Sequence, residues 1–346
     1  MTSSSPKSNF NSHFGAHPTS TLTTVFTAFG TLIATYYAYK IFSFLYLFIF
    51  HRSTISRYLQ PAVTPAASST SKQRSWALIT GASDGIGLAF AHELAFEGFH
   101  IILHGRSPTK LAAVETALKL QYPHISTRLF VLDAYPCSAP AIDDYVRGLA
   151  KEGLCIRILI NNIGGGSLVS PTFRPLTHLM AEEVQKLFDL NVGFPTLLTR
   201  ALLPIMQEPA LVLNLGSFVS HIPGPWLTVY AGSKAFNMSW SRSLGVELRA
   251  EGRDVEVIGL VVGEVQSAGH PGPVGPVMCS SRTLARSALD KVGCGRHTVA
   301  PWWRHAVILA LVECLPDALL NWSMVRTTRS FMEEEKRILE VEKRNL

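Results

Sequence analysis

From Ser75 onward, short apolar runs alternate with stretches whose apolar positions recur every three or four residues. "SWALIT", "HIILHGR", "TRLFVLDA", "IRILINNIG", "ALVLNLGS" and "DVEVIGLVV" read as strands that are apolar almost without interruption. "IGLAFAHELAFEG" and "PTKLAAVETALKLQY", between the first of them, have helical spacing. A strand with no polar alternation needs cover on both faces, which helical crossovers between parallel strands supply. The pattern therefore predicts an α/β domain with a doubly wound parallel sheet over residues 75–300.

Upstream the pattern is different. Residues 21–50 are apolar with Lys40 as their one charge. About 20 apolar residues span a bilayer, and thirty exceed the apolar core of a signal peptide, so this segment is expected to be a transmembrane anchor. Lys7 precedes it, whereas Arg52, Arg57, Lys72 and Arg74 follow it. The excess of positive charge on the following side places the domain after it in the cytosol, with a single pass. Residues 1–20, rich in Ser, Thr, Asn and Pro, read as a disordered tail, and residues 51–74 as a Pro/Ala/Ser-rich linker. Residues 301–346 read as a membrane-associated helical extension. In it, residues 305–325 are apolar but include Glu313, Pro316, Asp317 and Asn321, which favours an interfacial or re-entrant helical pair over a second span. The final "MEEEKRILEVEKRNL" reads as a charged helix with a solvated face.

Composition narrows the chemistry. The 346 residues are 47% hydrophobic, enough for a sizeable core. The formal charge of +6 suits anionic headgroups or a phosphorylated substrate, but the basic residues are scattered and do not form a nucleic-acid patch. Five cysteines with no C-x-x-C fit reduced thiols in a cytosol-facing domain. No metal-ligand spacing is present in the sequence, so no metal is expected.

The first predicted strand runs into "TGASDGIG" and then into a predicted helix. Gly81, Gly85 and Gly87 there allow a tight turn and close approach of a pyrophosphate to the helix N-terminus. This is a Rossmann-like dinucleotide site, with Ser83, Asp84 and Ile86 completing the turn. The second strand ends in His104, Gly105 and Arg106 with no acid. An acid at that point favours NAD, whereas Arg106 can fork onto a 2′-phosphate, so NADP(H) is the expected cofactor. Asp133 stands where a carboxylate could accept from the adenine amino group. Asn161 and Asn162 follow the fourth strand, and either could instead tie neighbouring strands together.

In "TVYAGSKAF", Tyr230 and Lys234 are four residues apart. On a helix they share a face, where the ammonium is expected to stabilise the phenolate and lower the tyrosine pKa. Taken in order and spacing, "TGASDGIG", "NNIG" and "YAGSK" resemble the classical short-chain dehydrogenase/reductases. The resemblance implies that Tyr230 is the general acid/base and that Lys234 holds the nicotinamide ribose. It also implies that Ser217, thirteen residues before Tyr230, polarises the substrate carbonyl. Asn191 in "FDLNVGFP" corresponds to the family asparagine that interrupts a helix and supports a proton-relay water.

"GSFVSHIPGPWLTVYAGSKAF", the anchor and "VGCGRHTVAPWWRHAVILALVE" are more closely similar to microsomal very-long-chain 3-oxoacyl-CoA reductases and related 17β-hydroxysteroid dehydrogenases. That similarity implies NADPH-dependent reduction of a 3-oxoacyl-CoA in fatty-acid elongation at the endoplasmic reticulum membrane. It also implies association with other elongation enzymes, or a homodimer. Val262-Gly263 stands where many classical members have Pro-Gly, while Val265 and Ser267 keep the short motif expected at the nicotinamide end. The alternatives are a steroid or other lipophilic ketone as substrate, including one of secondary metabolism, and a non-catalytic membrane scaffold.

Overall fold

The structure is a computed structural model that describes residues 18–59, 74–267 and 269–344. It divides into two units, Met1–His51 and Arg52–Leu346. Of the expected tail, residues 1–17 lie outside the described residues; helix α1 (Pro18–Leu45) has already begun at the remainder.

In the first unit, α1 continues through a π-helical turn, Tyr46–Phe50. The stretch Thr21–Phe50 has a mean hydropathy of 1.5 and is almost entirely unburied. At a 1.5 Å rise per residue it is about 45 Å long, against about 30 Å of bilayer hydrocarbon. Among the described residues it is the one helix long and apolar enough to cross a membrane.

The second unit is built on a parallel seven-stranded sheet in the order β3-β2-β1-β4-β5-β6-β9. Its strands are β1 (Trp76–Ile79), β2 (His100–Gly105), β3 (Thr127–Val131), β4 (Ile156–Asn161), β5 (Ala210–Leu215), β6 (Val255–Leu260) and β9 (Thr298–Val299). Every residue of β1, β4 and β5 is buried, as uninterrupted apolar strands between two helical layers require. The helices are α2 (Gly85–Glu97), α3 (Pro108–Gln121), α4 (Ala139–Lys151), α5 (Ala181–Phe188), α6 (Phe194–Leu202), α7 (Thr228–Ala250), α8 (Ser281–Leu289), α9 (Trp303–Glu313) and α10 (Asp317–Arg344). A small parallel pair, β7 (Val265–Gln266) and β8 (Cys279–Ser280), stands apart from the main sheet. Strand order reverses between β1 and β4, and the crevice above that reversal is where this architecture binds ligands.

Three sequence expectations are corrected here. The seventh strand was not anticipated, because two residues carry no period. Residues 52–59 are not linker: Tyr58 is fully buried and donates its hydroxyl to Glu256 at 2.8 Å, Arg57 pairs with Asp254, and the Thr54 amide donates to the Val292 carbonyl at 3.1 Å. Residues 60–73 lie outside the described residues. The charged terminal segment is continuous with the second helix of the expected pair, and it is not simply solvated. Glu335 of α10 accepts from the amides of Thr172 (2.7 Å) and Phe173 (3.3 Å).

Candidate active site

The turn after β1 is shaped by backbone that other residues resist. Gly81 and Gly85 have φ of +63° and +57°, the left-handed region that favours glycine. A Cβ on Gly87 would lie 2.2 Å from the Gly81 carbonyl oxygen, so α2 starts pressed against the turn. Asn162 fastens that turn from the neighbouring strand, donating to the carbonyls of Thr80 (2.9 Å) and Gly81 (3.3 Å). The amides of Ile86 and Gly87 open α2, where intrahelical acceptors are lacking.

Around this turn, Ser83 is half-buried and Asp84 exposed. Asp84 caps α2 by accepting the Gly85 N–H at 2.6 Å. Arg106 is exposed directly after β2 and has no carboxylate partner among the described residues. Asp133 accepts the Tyr135 amide at 3.1 Å, which leaves its other oxygen uncommitted by that bond. Val265 is buried in β7, and Ser267 lies across from the turn, its Cβ 3.2 Å from where a Gly85 Cβ would stand. A concave backbone cradle, a helix N-terminus and an uncommitted guanidinium are the donor set that a phosphorylated dinucleotide requires.

Asn161 does not join this set. It is 4% exposed, and its amide donates to Thr199 (2.9 Å) and to the Asn214 side chain (2.8 Å). Asn214 in turn donates to Ser241 at 2.9 Å, and Ser241 to the Asn237 carbonyl at 2.6 Å. The strand's last residue thus anchors a buried polar line across β5 into α7, while the next residue, Asn162, faces the glycine turn.

That line helps to seat α7, which carries Tyr230 and Lys234. Glycines complete the seating: a Cβ on Gly216 or Gly259 would meet the Met238 side chain of α7 at 2.4 and 2.9 Å. Ser217 follows β5, and its hydroxyl lies near enough to the half-buried Tyr230 phenol to favour the phenolate. Buried Lys234 donates to the Leu215 carbonyl at 2.9 Å, with its Nζ 5.8 Å from the Tyr230 ring centroid. Asn191 sits in a π-helical turn, Asp189–Gly193, between α5 and α6. Its oxygen accepts the Gly165 amide at 3.0 Å, and its amide donates to the Leu187 carbonyl at 3.0 Å. A Cβ on Gly164 would fall 2.4 Å from Asn191 Oδ1 and 3.5 Å from Lys234 Nζ, so the glycine lets these two side chains face one space.

The electrostatics differ from the sequence expectation. Burial pushes the Tyr230 phenol up, and the nearby Ser217 hydroxyl opposes this only in part. Burial also lowers Lys234 to about 8. Lys234 is turned to a carbonyl and does not act on the phenol as a close cation. At neutral pH the tyrosine is therefore a protonated donor beside a lysine that is still mainly ammonium.

Sequence reading missed three supporting residues. His305 is fully buried; its Nδ1 accepts from the Gly263 amide at 3.3 Å and its Nε2–H donates to the Val277 carbonyl at 3.1 Å, fixing the segment that leads to Val265. Burial lowers its pKa, consistent with a neutral ring in those roles. Trp226, four residues before Tyr230, has φ +60° and lies 5.8 Å beneath the Arg329 guanidinium of α10. Glu335 holds the loop at Thr172. No local period signals any of these, because each partner is far along the chain.

The chain matches the short chain dehydrogenase family over residues 75–271. It is 34% identical over 293 residues to a very-long-chain 3-oxoacyl-CoA reductase of Pyricularia oryzae, covering 81% of this chain and 82% of the relative. Against a very-long-chain 3-oxoacyl-CoA reductase of Mycosarcoma maydis the identity is 35% over 245 residues, covering 68% and 67%. A putative short chain dehydrogenase from Pseudomonas syringae has the same fold, with a TM-score of 0.60 at 21% identity over 72% of this chain and 98% of its own. A short-chain dehydrogenase from Sphingobium yanoikuyae in complex with NADPH gives 0.55 at 25% identity, over 70% and 97%. The family match spans more than half of the chain, and relatives above 30% identity cover more than two thirds of it: the protein belongs to the short-chain dehydrogenase family.

Proposed function

We propose that the protein is an NADPH-dependent reductase of the 3-keto group of long-chain 3-oxoacyl-CoA, anchored in the endoplasmic reticulum membrane with its catalytic unit toward the cytosol. The observation that carries this reading is the meeting of Ser217, Tyr230, Lys234 and Asn191 at one crevice. The names of the relatives support the substrate class, and the glycine cradle together with Arg106 supports a 2′-phosphorylated dinucleotide. The long apolar helix supports a bilayer-resident substrate, since each buried CH₂ contributes about 0.8 kcal/mol.

In this reading the turn at Gly81, Ser83, Gly85, Ile86 and Gly87 holds the pyrophosphate, with Asp84 fixing the helix start. Arg106 holds the 2′-phosphate, and Asp133 takes the adenine amino group. Lys234 donates to the ribose hydroxyls, and Val265 and Ser267 border the nicotinamide. When bound, the reduced nicotinamide supplies the hydride. Tyr230 transfers its phenol proton to the substrate oxygen, a role that its raised pKa suits by keeping the proton available at neutral pH. Ser217 donates a hydrogen bond to the same oxygen as charge develops there. Lys234 and Asn191, facing one space beside Gly164, offer a path for the tyrosine to regain a proton.

The test is NADPH oxidation by membranes containing the protein, measured on long-chain 3-oxoacyl-CoA, a steroid ketone and a short-chain ketone. The expected result is turnover of the acyl-CoA well above the other two. Preference for the steroid would move the substrate to the hydroxysteroid side, and no turnover on any ketone would refute the enzymatic reading.

A further inference from the structure

Helices α9 and α10 are consecutive in the chain and carry side chains of two unlike kinds. One kind is engaged with the catalytic unit. His305 and Leu320 are buried, Phe331 stacks with Phe173 at 6.0 Å, and Glu313 pairs with His221 at 3.1 Å. The other kind is large, apolar and in the open: Trp303 is 49% exposed, Leu311 65%, Leu319 47% and Trp322 59%. Two arginines lie against the exposed rings, Arg304 at 5.3 Å over Trp303 and Arg326 at 5.6 Å over Trp322. Leu319, Trp322 and Arg326 are spaced to share one helix face.

We infer that this exposed face is a second membrane contact, seated on an anionic lipid surface. The inference rests on the reading of Thr21–Phe50 as a span, because that segment supplies the partner: it ends immediately before the catalytic unit begins, so the chain brings a bilayer with it. The chemistry of the face fits that occupant. Indole rings suit the headgroup level, where one edge is apolar and the other wet. Arginines beside them reach anionic headgroups while their stems remain on apolar surface. A solvent-facing role would leave these four apolar groups without cover, a cost that soluble surfaces generally limit.

Tryptophan fluorescence gives a clean test. The chain has six tryptophans, Trp76, Trp226, Trp240, Trp302, Trp303 and Trp322, and none lies in residues 21–50. Quenching by lipids brominated on their acyl chains therefore reports on the catalytic unit alone. The full chain, reconstituted in phosphatidylcholine/phosphatidylserine vesicles carrying such lipids, should be quenched, and Trp303→Phe with Trp322→Phe should remove most of that quenching. Arg304→Gln with Arg326→Gln, or omission of phosphatidylserine, should weaken it. An incorporated chain that is unquenched, or whose quenching survives the double Phe substitution, would overturn the inference. So would crosslinking between copies through exposed Cys314 that proceeds equally without lipid, since a second copy would then cover the face. Failure to incorporate would count against the span instead, and vesicles added to the detergent-dispersed chain would still read the quenching.

Discussion

Helices α2 and α7 both enter the crevice at the carboxyl ends of the strands, but they are held there by different means. Helix α2 is placed chiefly by backbone: Gly87 lies against the Gly81 carbonyl, and the side chains of Asn162 and His104 bond the turn at Gly81. Helix α7 is placed by side chains, through the buried line from Asn161 to Ser241, the Lys234 bond to Leu215, and Arg329 over Trp226 at its start. A site held by backbone has little tolerance, because no rotamer can absorb an added atom. A site held by several side chains loses them one at a time. The cofactor side should therefore fail sharply under substitution, and the substrate side by degrees.

Among the residues that place the two helices, the sharpest expected failure is Gly87→Ala. Its methyl must displace backbone, an overpacking cost of about 1–3 kcal/mol, which corresponds to roughly 5- to 150-fold in NADPH affinity. Equilibrium titration of nicotinamide fluorescence checks this, with circular dichroism to show that the fold is kept. Unaltered affinity would mean that the turn is looser than the comparison requires.

Next in size is a pH effect at the point where the two sides meet. Burial lowers Lys234, so its ammonium is lost as pH rises through about 8, and with it the positive charge that strengthens its hydrogen bonds to the ribose. The kcat/KM for NADPH reports the free enzyme; it should be flat below that value and fall above it, by roughly tenfold per unit for one essential proton. A profile flat to pH 10 would remove Lys234 from cofactor binding.

The smallest effect is expected farthest from the chemistry. Glu335→Gln weakens the hold on the Thr172 loop by about 1 kcal/mol, roughly a fivefold rise in KM for the ketone with kcat nearly unchanged. An equal fall in kcat would show that α10 acts on the reacting groups themselves and not on the Thr172 loop alone.

The same contrast explains what could be read from the sequence. Strands β1 to β6 and the glycine turn are written in local period and spacing, as is the Tyr230–Lys234 pair, and each was legible as such. Asn161 and Asn162 are adjacent and chemically identical, so only the strand's end, which falls between them, decides which faces the turn. Arg57 and Glu335 find their partners 197 and 163 residues away, and no local pattern encodes such pairings. The direction of the Tyr230 shift was also beyond reach, because it depends on burial and on Lys234 having turned to a carbonyl.

The central claim is that Tyr230 delivers the proton at a site that binds NADPH independently of it. The most direct measurement is Tyr230→Phe, assayed for NADPH binding and for ketone reduction in the same preparation. The account predicts unchanged NADPH affinity with turnover lower by about 10²–10⁴-fold. Turnover close to that of the unsubstituted enzyme would contradict it.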